Sequence, residues 1–117
     1  MIPLELIKTN VLGTSNVLQA ALAEGVSRTL LISSDKACLP ANAYGASKFM
    51  AEQLAVNFNV YGAPRGCISS VVRYGNVLYS RGSVLNIWEQ QAAADEPMTM
   101  TEPGMTRFVI TMRRPSI

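Results

Sequence analysis

Histidine is missing from this chain, and cysteine occurs only twice, at the widely separated positions Cys38 and Cys67. Zinc sites are built from closely spaced cysteines and histidines, so we expect no metal site and two reduced thiols. The first residues lack a basic region followed by an apolar run, and no later stretch is long enough to span a bilayer. The sequence therefore predicts a cytoplasmic protein without a membrane partner.

Charge is sparse and evenly spread. The 117 residues carry a formal net charge of +2, with basic residues beside acidic ones and no basic stripe. A nucleic-acid-binding surface needs such a stripe, so we expect no nucleic-acid partner. Hydrophobic residues make up 49% of the chain, which suffices for one compact domain with a modest core.

Helices and strands alternate along the first half. A helix is predicted in KTNVLGTSNVLQAALAEG, with Gly25 in the left-handed position just past its end. The short apolar run RTLLIS is typical of a parallel strand that is buried on both faces. Asn42 is placed to cap a second helix, which ends near VYGAPRG. One face of that helix is predicted to pack inward, at Ser47, Met50, Ala51, Leu54, Ala55 and Phe58.

The second half continues this alternation. CISSVVRYGNV is rich in strand formers, and VLNIWEQQAAADE has helical spacing. The tail beyond them mixes strand-like and turn-like pieces. Helices that alternate with strands over short connections predict an α/β fold with a parallel sheet and right-handed crossovers.

The stretch SSDKACLPANAYGASK, residues 33–48, combines groups that could carry chemistry. Ser33, Ser34, Asp35 and Lys36 follow a predicted parallel strand, and open α/β sheets bind ligands at the carboxyl ends of their strands. Tyr44 and Lys48 are four residues apart on a helix, so their side chains share one face. A nearby ammonium lowers the pKa of a phenol, which lets a tyrosine act as a base near neutral pH.

Each of these features has an ordinary explanation. A tyrosine four residues before a lysine arises by chance in many helices, and an Asp-Lys pair at a strand end is usually a solvated loop. Their combination in this order, directly after a buried strand, favours an acid/base site.

Four motifs together extend the interpretation: TNVLGTSNVLQAA, SSDKACLPANAYGASK, VVRYGNVLYSRGSV and MTRFVIT. In this order and spacing, from about Leu4 to Thr111, the chain resembles the extended short-chain dehydrogenase/reductase superfamily. More narrowly, it is similar to the UDP-N-acetylglucosamine 4,6-dehydratases of bacterial surface-polysaccharide and flagellin-sugar pathways. The implied fold is the C-terminal part of a Rossmann-like α/β sheet. Related nucleotide-sugar epimerases share much of the same sequence.

The resemblance implies a catalytic role for five residues. Tyr44 would take the proton from the sugar 4-hydroxyl while NAD or NADP accepts hydride from C4, and Lys48 would lower the tyrosine pKa and bind the nicotinamide ribose. Lys36 would then remove the C5 proton while Asp35 protonates the departing 6-hydroxyl. Ser34 stands where the family usually has threonine and would donate to the sugar O4.

Further residues would bind rather than react. The resemblance implies that Asn10 and Ser33 join Tyr44 and Lys48 in cofactor binding, with Asn10 organising a water and the backbone near the lysine. It assigns contacts with the UDP-sugar to Asn76, Arg81, Ser83 and Arg107, the arginines as forked donors for diphosphate oxygens. The related membrane-anchored, retaining dehydratases commonly have methionine in place of Tyr44, so this tyrosine favours the C5-inverting branch.

The chain also departs from the family pattern. The glycine-rich dinucleotide fingerprint does not occur in it, and MRRPSI after MTRFVIT does not continue as the family does. We therefore expect a single partial domain over 1–117, with the start of the substrate-binding region at about 76–112, from a truncated or frame-shifted gene. Without the phosphate-binding half of the cofactor site, the chain alone is expected to be inactive.

Two alternatives stay open at this point. One is a UDP-sugar epimerase of the same superfamily, and the other is a non-catalytic remnant or interaction module. An unpaired apolar strand at the sheet edge predicts self-association or homo-oligomers.

Overall fold

A computed structural model describes residues 2–78 and 83–111. The chain divides into two compact units, Met1–Tyr74 and Gly75–Ile117, and each is described by itself. The prediction of one partial domain with a substrate-binding region from about residue 76 stays a prediction.

The first unit begins with one continuous helical segment in three parts. These are α1 (Pro3–Leu6), a π-helical segment (Ile7–Leu12) and α2 (Gly13–Ala23). Gly25 has a φ of +69°, which confirms the predicted left-handed residue just past the helix. The π-helical segment was not predicted, and within it the Asn10 carbonyl accepts a hydrogen bond of 2.7 Å from the Thr14 hydroxyl. Such segments often mark functional sites in helices.

Strand β1 (Arg28–Ser34) pairs in parallel with β2 (Ile68–Tyr74), so the predicted parallel sheet is confirmed. The register places Leu31 opposite Val71 and Ser33 opposite Arg73. The helices that pack on this sheet contribute residues to the core. The core contains Leu18, Ala55, Phe58 and Cys67, with Leu22, Leu31 and Val71 packed against it.

The prediction that β1 is buried on both faces is wrong. Leu31 turns toward the core, but Leu30 and Ile32 are 62% and 58% exposed, and Val72 on β2 is 43% exposed. Side chains of a strand alternate between its two faces, and two helices, α2 and the helix at Ala43–Gly62, pack on the Leu31 face. The opposite face of this sheet is therefore apolar and accessible, although parallel sheets are usually covered on both faces.

Helix α3 (Ala43–Gly62) begins and ends where the sequence predicts. Asn42 caps it, because its side chain accepts a hydrogen bond of 2.9 Å from the Gly45 amide. The buried stripe runs through Gly45, Ser47, Ala51, Glu52, Ala55, Phe58 and Gly62. The prediction for Met50 was wrong, since this side chain flanks the stripe and is 53% exposed. Glu52 is buried in the stripe instead.

The second unit contains two short strands and one helix. β3 (Asn76–Val77) pairs in parallel with β4 (Val109–Ile110), and α4 (Val84–Ala93) confirms the predicted third helix. The Trp88 indole donates a hydrogen bond of 2.7 Å to the Thr99 carbonyl, which fixes the chain after α4. Within 2–78 and 83–111, no helix has both the length and the apolar character that crossing a bilayer requires.

Candidate active site

A single tight turn carries the predicted acid and base. Strand β1 ends at Ser34, and Asp35–Ala37 form a 3₁₀ turn at the carboxyl end of the strand. The Ser34 side chain accepts a hydrogen bond from the Lys36 amide at 3.3 Å, which caps this turn. The prediction that these residues lie at the carboxyl end of a parallel strand is confirmed, and their role in ligand binding stays a prediction.

Asp35 is the acceptor at the centre of this turn. One of its carboxylate oxygens, Oδ1, accepts from the Ser34 hydroxyl at 3.0 Å and from the Lys36 ammonium at 3.2 Å. Partial burial raises the pKa of Asp35, but the hydrogen bonds from Lys36 and Ser34 outweigh burial and leave this pKa below its usual value. Asp35 and Lys36 therefore form an ion pair at neutral pH.

The first turn of α3 packs directly on the turn that carries Asp35. Gly45 is buried, and a Cβ atom added to it would overlap the backbone carbonyl oxygen of Lys36. It would also lie 3.1 Å from the side chain of Pro40. Tyr44, the residue before Gly45, is half-buried at this same place. The close approach at Gly45 thus brings the first turn of α3, which contains Tyr44, next to the turn that contains Asp35 and Lys36.

Lys48 lies one helical turn beyond Tyr44 and reaches back to the sheet. Its ammonium donates a hydrogen bond of 3.0 Å to the Ile32 carbonyl of β1. A lysine has three N–H donors, and this bond uses one of them. The predicted Tyr-Lys pair therefore starts at the carboxyl edge of β1, with its lysine bound to that strand.

Asn10 connects the π-helical segment to the same helix. Its side-chain amide donates a hydrogen bond of 2.9 Å to the hydroxyl of Ser47, the residue before Lys48. The Ser47 hydroxyl in turn donates to the Tyr44 carbonyl at 2.7 Å. Asn10 thereby contacts the backbone between Tyr44 and Lys48 through one buried serine.

An ion pair between a buried carboxylate and an exposed arginine was missed by the sequence reasoning. The Arg73 guanidinium donates to both carboxylate oxygens of Glu52, from Nε at 2.8 Å and from Nη2 at 2.6 Å. These hydrogen bonds hold the pKa of Glu52 below its usual value, against an opposing effect of burial, and they raise the pKa of Arg73. The available signal was the position of Glu52, one helical turn after Lys48 on the same face.

Ser33 belongs to this buried region. It is fully buried, and its hydroxyl faces the Glu52 carboxylate and further lowers its pKa, although the two groups do not reach full hydrogen-bond geometry. Its cofactor contact, implied by the resemblance, stays a prediction.

The residues expected to bind the UDP-sugar belong to the second unit. Asn76 lies beside the chain of Arg107, because both its amide and its side chain donate to the Phe108 carbonyl, at 2.8 Å and 3.2 Å. Arg107 is exposed and donates to the Thr106 carbonyl at 3.0 Å. Ser83 precedes α4 as its N-cap. Arg81 lies outside the described residues, so its predicted role stays a prediction.

Two surface grooves lie apart from the candidate site. A groove of about 400 Å³ lies between α1 and α3, and another of about 330 Å³ lies between α2 and β1; neither is lined by Asp35, Tyr44 or Lys48. Among the residues that the structure describes, no group of three or more histidine, cysteine or acidic side chains could hold a metal.

Comparison with known proteins decides the family. A family model described as polysaccharide biosynthesis protein matches residues 1–116. The chain belongs to this family. A UDP-glucose 4-epimerase of Rickettsia typhi is 44% identical over 110 residues, which are 94% of this chain and 32% of that protein. An uncharacterized membrane protein of Methanocaldococcus jannaschii is 46% identical over 110 residues, 94% of this chain and 33% of that protein.

Solved structures agree with the family and the fold. An X-ray structure of Pen from Bacillus thuringiensis matches with a TM-score of 0.82 at 38% identity, over 93% of this chain and 34% of that one. A crystal structure of UDP-galactose 4-epimerase matches with a TM-score of 0.65 at 24% identity, over 81% of this chain and 36% of that one. The second likeness shows the fold alone.

These findings confirm two predictions: membership of the extended short-chain dehydrogenase/reductase superfamily and a Rossmann-like α/β fold. This family member spans about a third of the length of the curated relatives described above.

Proposed function

We propose that this chain carries the acid/base residues of an NAD(P)-dependent nucleotide-sugar 4,6-dehydratase that acts on UDP-N-acetylglucosamine with inversion at C5. The observation that supports it best is the close packing of Gly45 on the Lys36 carbonyl. This packing gathers the tyrosine and lysine of α3 and the acid and base after β1 at one sheet edge. A dehydratase needs all four groups, because it must oxidise C4, remove a proton from C5 and expel the 6-hydroxyl.

The proposed roles are those implied by the family resemblance, and the location of these residues at the carboxyl end of β1 supports them. Tyr44 accepts the proton of the sugar 4-hydroxyl, and Lys48 lies one helical turn away on the same face of α3. Lys36 removes the C5 proton, which a 4-keto group makes acidic. Asp35 donates a proton to the leaving 6-hydroxyl, and Ser34 donates a hydrogen bond to the sugar O4.

Asp35 and Lys36 must exchange a proton before they can serve in these roles. In the open site they form an ion pair, whereas the reaction needs a neutral amine and a protonated carboxyl. In water, moving a proton from a lysine ammonium to an aspartate costs about 9 kcal/mol. Removal from water costs an ion several kcal/mol, so a sugar that covers both groups offsets a large part of this cost. Substrate binding thus favours the reactive protonation state.

The donors present suit the nicotinamide end of NAD or NADP. Lys48 has N–H groups beyond the one bound to Ile32 and is placed to bind a ribose hydroxyl next to Tyr44. A nicotinamide bound there would supply the hydride acceptor for C4 and the hydride donor for C6. The glycine-rich phosphate-binding motif is not among these 117 residues. On the sugar side, Asn76, Arg81, Ser83 and Arg107 are proposed to contact the UDP-sugar.

A second candidate function is supported by the comparisons. The Rickettsia typhi relative carries the name UDP-glucose 4-epimerase at 44% identity. An epimerase would use the same oxidation at C4 by Tyr44 and Lys48, but it does not need a base at C5 or an acid at the 6-hydroxyl. The turn after β1 therefore distinguishes the two candidates.

A chimera tests the proposal. The matching segment of the Rickettsia typhi epimerase is replaced by this chain, and NMR follows UDP-N-acetylglucosamine supplied with NAD⁺. The expected product is a 4-keto-6-deoxy sugar with inverted C5. Lys36→Ala should stop water loss but leave hydride transfer at C4, whereas Tyr44→Phe should stop both. Inversion at C4 without loss of water would favour the epimerase. The isolated chain is expected to be inactive, and turnover by it would contradict that expectation.

A further inference from the structure

We propose that Glu52, a buried carboxylate fixed by Arg73, is a positioning residue for Lys48 and holds the lysine ammonium against the carboxyl end of β1. This deepens the proposed function, because it concerns a lysine assigned to catalysis there. The evidence for it, however, is confined to the geometry of α3 and the sheet.

The position of Glu52 carries the first step. Lys48 and Glu52 are one helical turn apart on α3 and share its inner face. The charge of Lys48 contributes to the lowered pKa of Glu52, after the larger effects of Arg73, burial and Ser33. By reciprocity, the carboxylate attracts the ammonium inward, toward the Ile32 carbonyl that it binds.

The anchoring of Glu52 carries the second step. An attractive charge positions a neighbour only if it is itself fixed, and Arg73 fixes this carboxylate with two parallel hydrogen bonds. Arg73 stands on β2 directly opposite Ser33 of β1. Lys48 therefore binds β1 directly, while Glu52, one helical turn along α3, is bound to β2.

Burial strengthens the effect of Glu52 on Lys48. The Glu52 side chain is 6% exposed, whereas the Arg73 side chain is 42% exposed. Water and salt screen a buried charge much less than an exposed one. The neighbouring residues of the α3 stripe, Ala51 and Ala55, are buried and apolar. The Glu52 carboxylate is therefore a weakly screened negative charge one helical turn from Lys48.

Asn59 offers a matched control on the same two elements. Its side chain accepts from the Ser69 amide at 2.8 Å and donates to the Ser69 carbonyl at 2.9 Å. Like Glu52, it joins α3 to β2 by two hydrogen bonds. It lies near the other end of the helix and the amino end of the strand, away from Lys48. A purely structural contribution can therefore be measured there.

The experiment is competitive acylation of the full chain with acetic anhydride, read by mass spectrometry as the rate of Lys48 relative to exposed Lys8. Glu52 is proposed to hold the Lys48 ammonium against the Ile32 carbonyl, so removing the carboxylate should free the lysine side chain and speed labelling. In Glu52→Gln the Lys48/Lys8 ratio should rise about two- to five-fold, the size expected for a partly exposed charge contact. Asn59→Ala should leave the ratio unchanged, and Glu52→Asp should restore part of the protection.

Each outcome decides the proposal. An unchanged ratio in a folded Glu52→Gln variant would overturn it, and so would equal increases in the Glu52 and Asn59 variants. If circular dichroism shows that Glu52→Gln does not fold, Arg73→Lys is used instead. This variant keeps the charge but loses the forked hydrogen bonds, and it must raise the ratio. The assay contains no nucleotide sugar, so its result is independent of whether the dehydratase proposal holds.

Discussion

Replacing Gly45 by alanine tests the contact that assembles the site. The new Cβ would overlap the Lys36 carbonyl oxygen, which is backbone and cannot rotate away. Either α3 or the turn that carries Asp35 and Lys36 must shift. Forcing extra atoms into a packed site of this kind costs about 1–3 kcal/mol.

Gly13 provides the matched control. It also lies in a helix, but a Cβ there would meet the Lys8 carbonyl oxygen at 3.6 Å, an ordinary contact distance. Gly13→Ala should therefore stabilise the chain by up to about 1 kcal/mol through helix propensity. Because Gly45→Ala receives a similar benefit at most, the difference between the two variants measures the overlap.

Urea denaturation followed by circular dichroism gives the two free energies of unfolding. Gly45→Ala is expected to be less stable than Gly13→Ala by about 1–3 kcal/mol. For a unit of this size, each kcal/mol shifts the melting temperature by about 4–8 °C. If the two variants are equally stable, α3 does not pack closely on the Asp35–Ala37 turn, and this contact does not bring the residues of the turn and of the helix into one site.

Two other predictions concern the Glu52–Arg73 ion pair and the exposed apolar face of the sheet formed by β1 and β2. Since Arg73 lowers the pKa of Glu52 from 4.5, with Lys48 adding to the effect, this pair stabilises the chain above about pH 4.5 and less as the pH falls below it. Arg73→Ala leaves the Glu52 carboxylate buried without its ion-pair partner. The contribution of Glu52 to the free energy of unfolding between pH 4 and 7 should then change sign, so that stability falls as the pH rises; an unchanged pH profile would contradict this. Ile32→Lys on the exposed face should weaken concentration-dependent self-association in size-exclusion chromatography, and identical elution would exclude that face.

Much of the site could be predicted because its signals are local. The acid, the base, the tyrosine and the lysine fall within residues 33–48, and the cap at Asn42 fixes where α3 begins. A strand end and a helix start so close in sequence leave little freedom for the turn between them. Their proximity could therefore be predicted from spacing, whereas their catalytic roles were implied by the family resemblance and stay predictions.

The parts that were missed depend on contacts distant in sequence. The partner of Glu52 is 21 residues away on β2, and it becomes visible only when α3 docks on the sheet in the observed register. Helical periodicity favours apolar residues at buried positions, so it selected Met50 and passed over Glu52. The exposed face of β1 was missed because an apolar run shows that a strand is hydrophobic, not which neighbours cover it.

The register of the sheet ties the core and the site together. Leu31 opposes Val71 in the core, and two residues further Ser33 opposes Arg73 on the same face. A slip of one residue would turn both Val71 and Arg73 to the exposed face. The hydrophobic core and the ion pair with Glu52 therefore require the same alignment of β1 and β2. Because Lys48 is bound to β1 and Glu52 to β2, α3 is seated only when that alignment is correct, and the packing that stabilises the unit also places the proposed catalytic lysine.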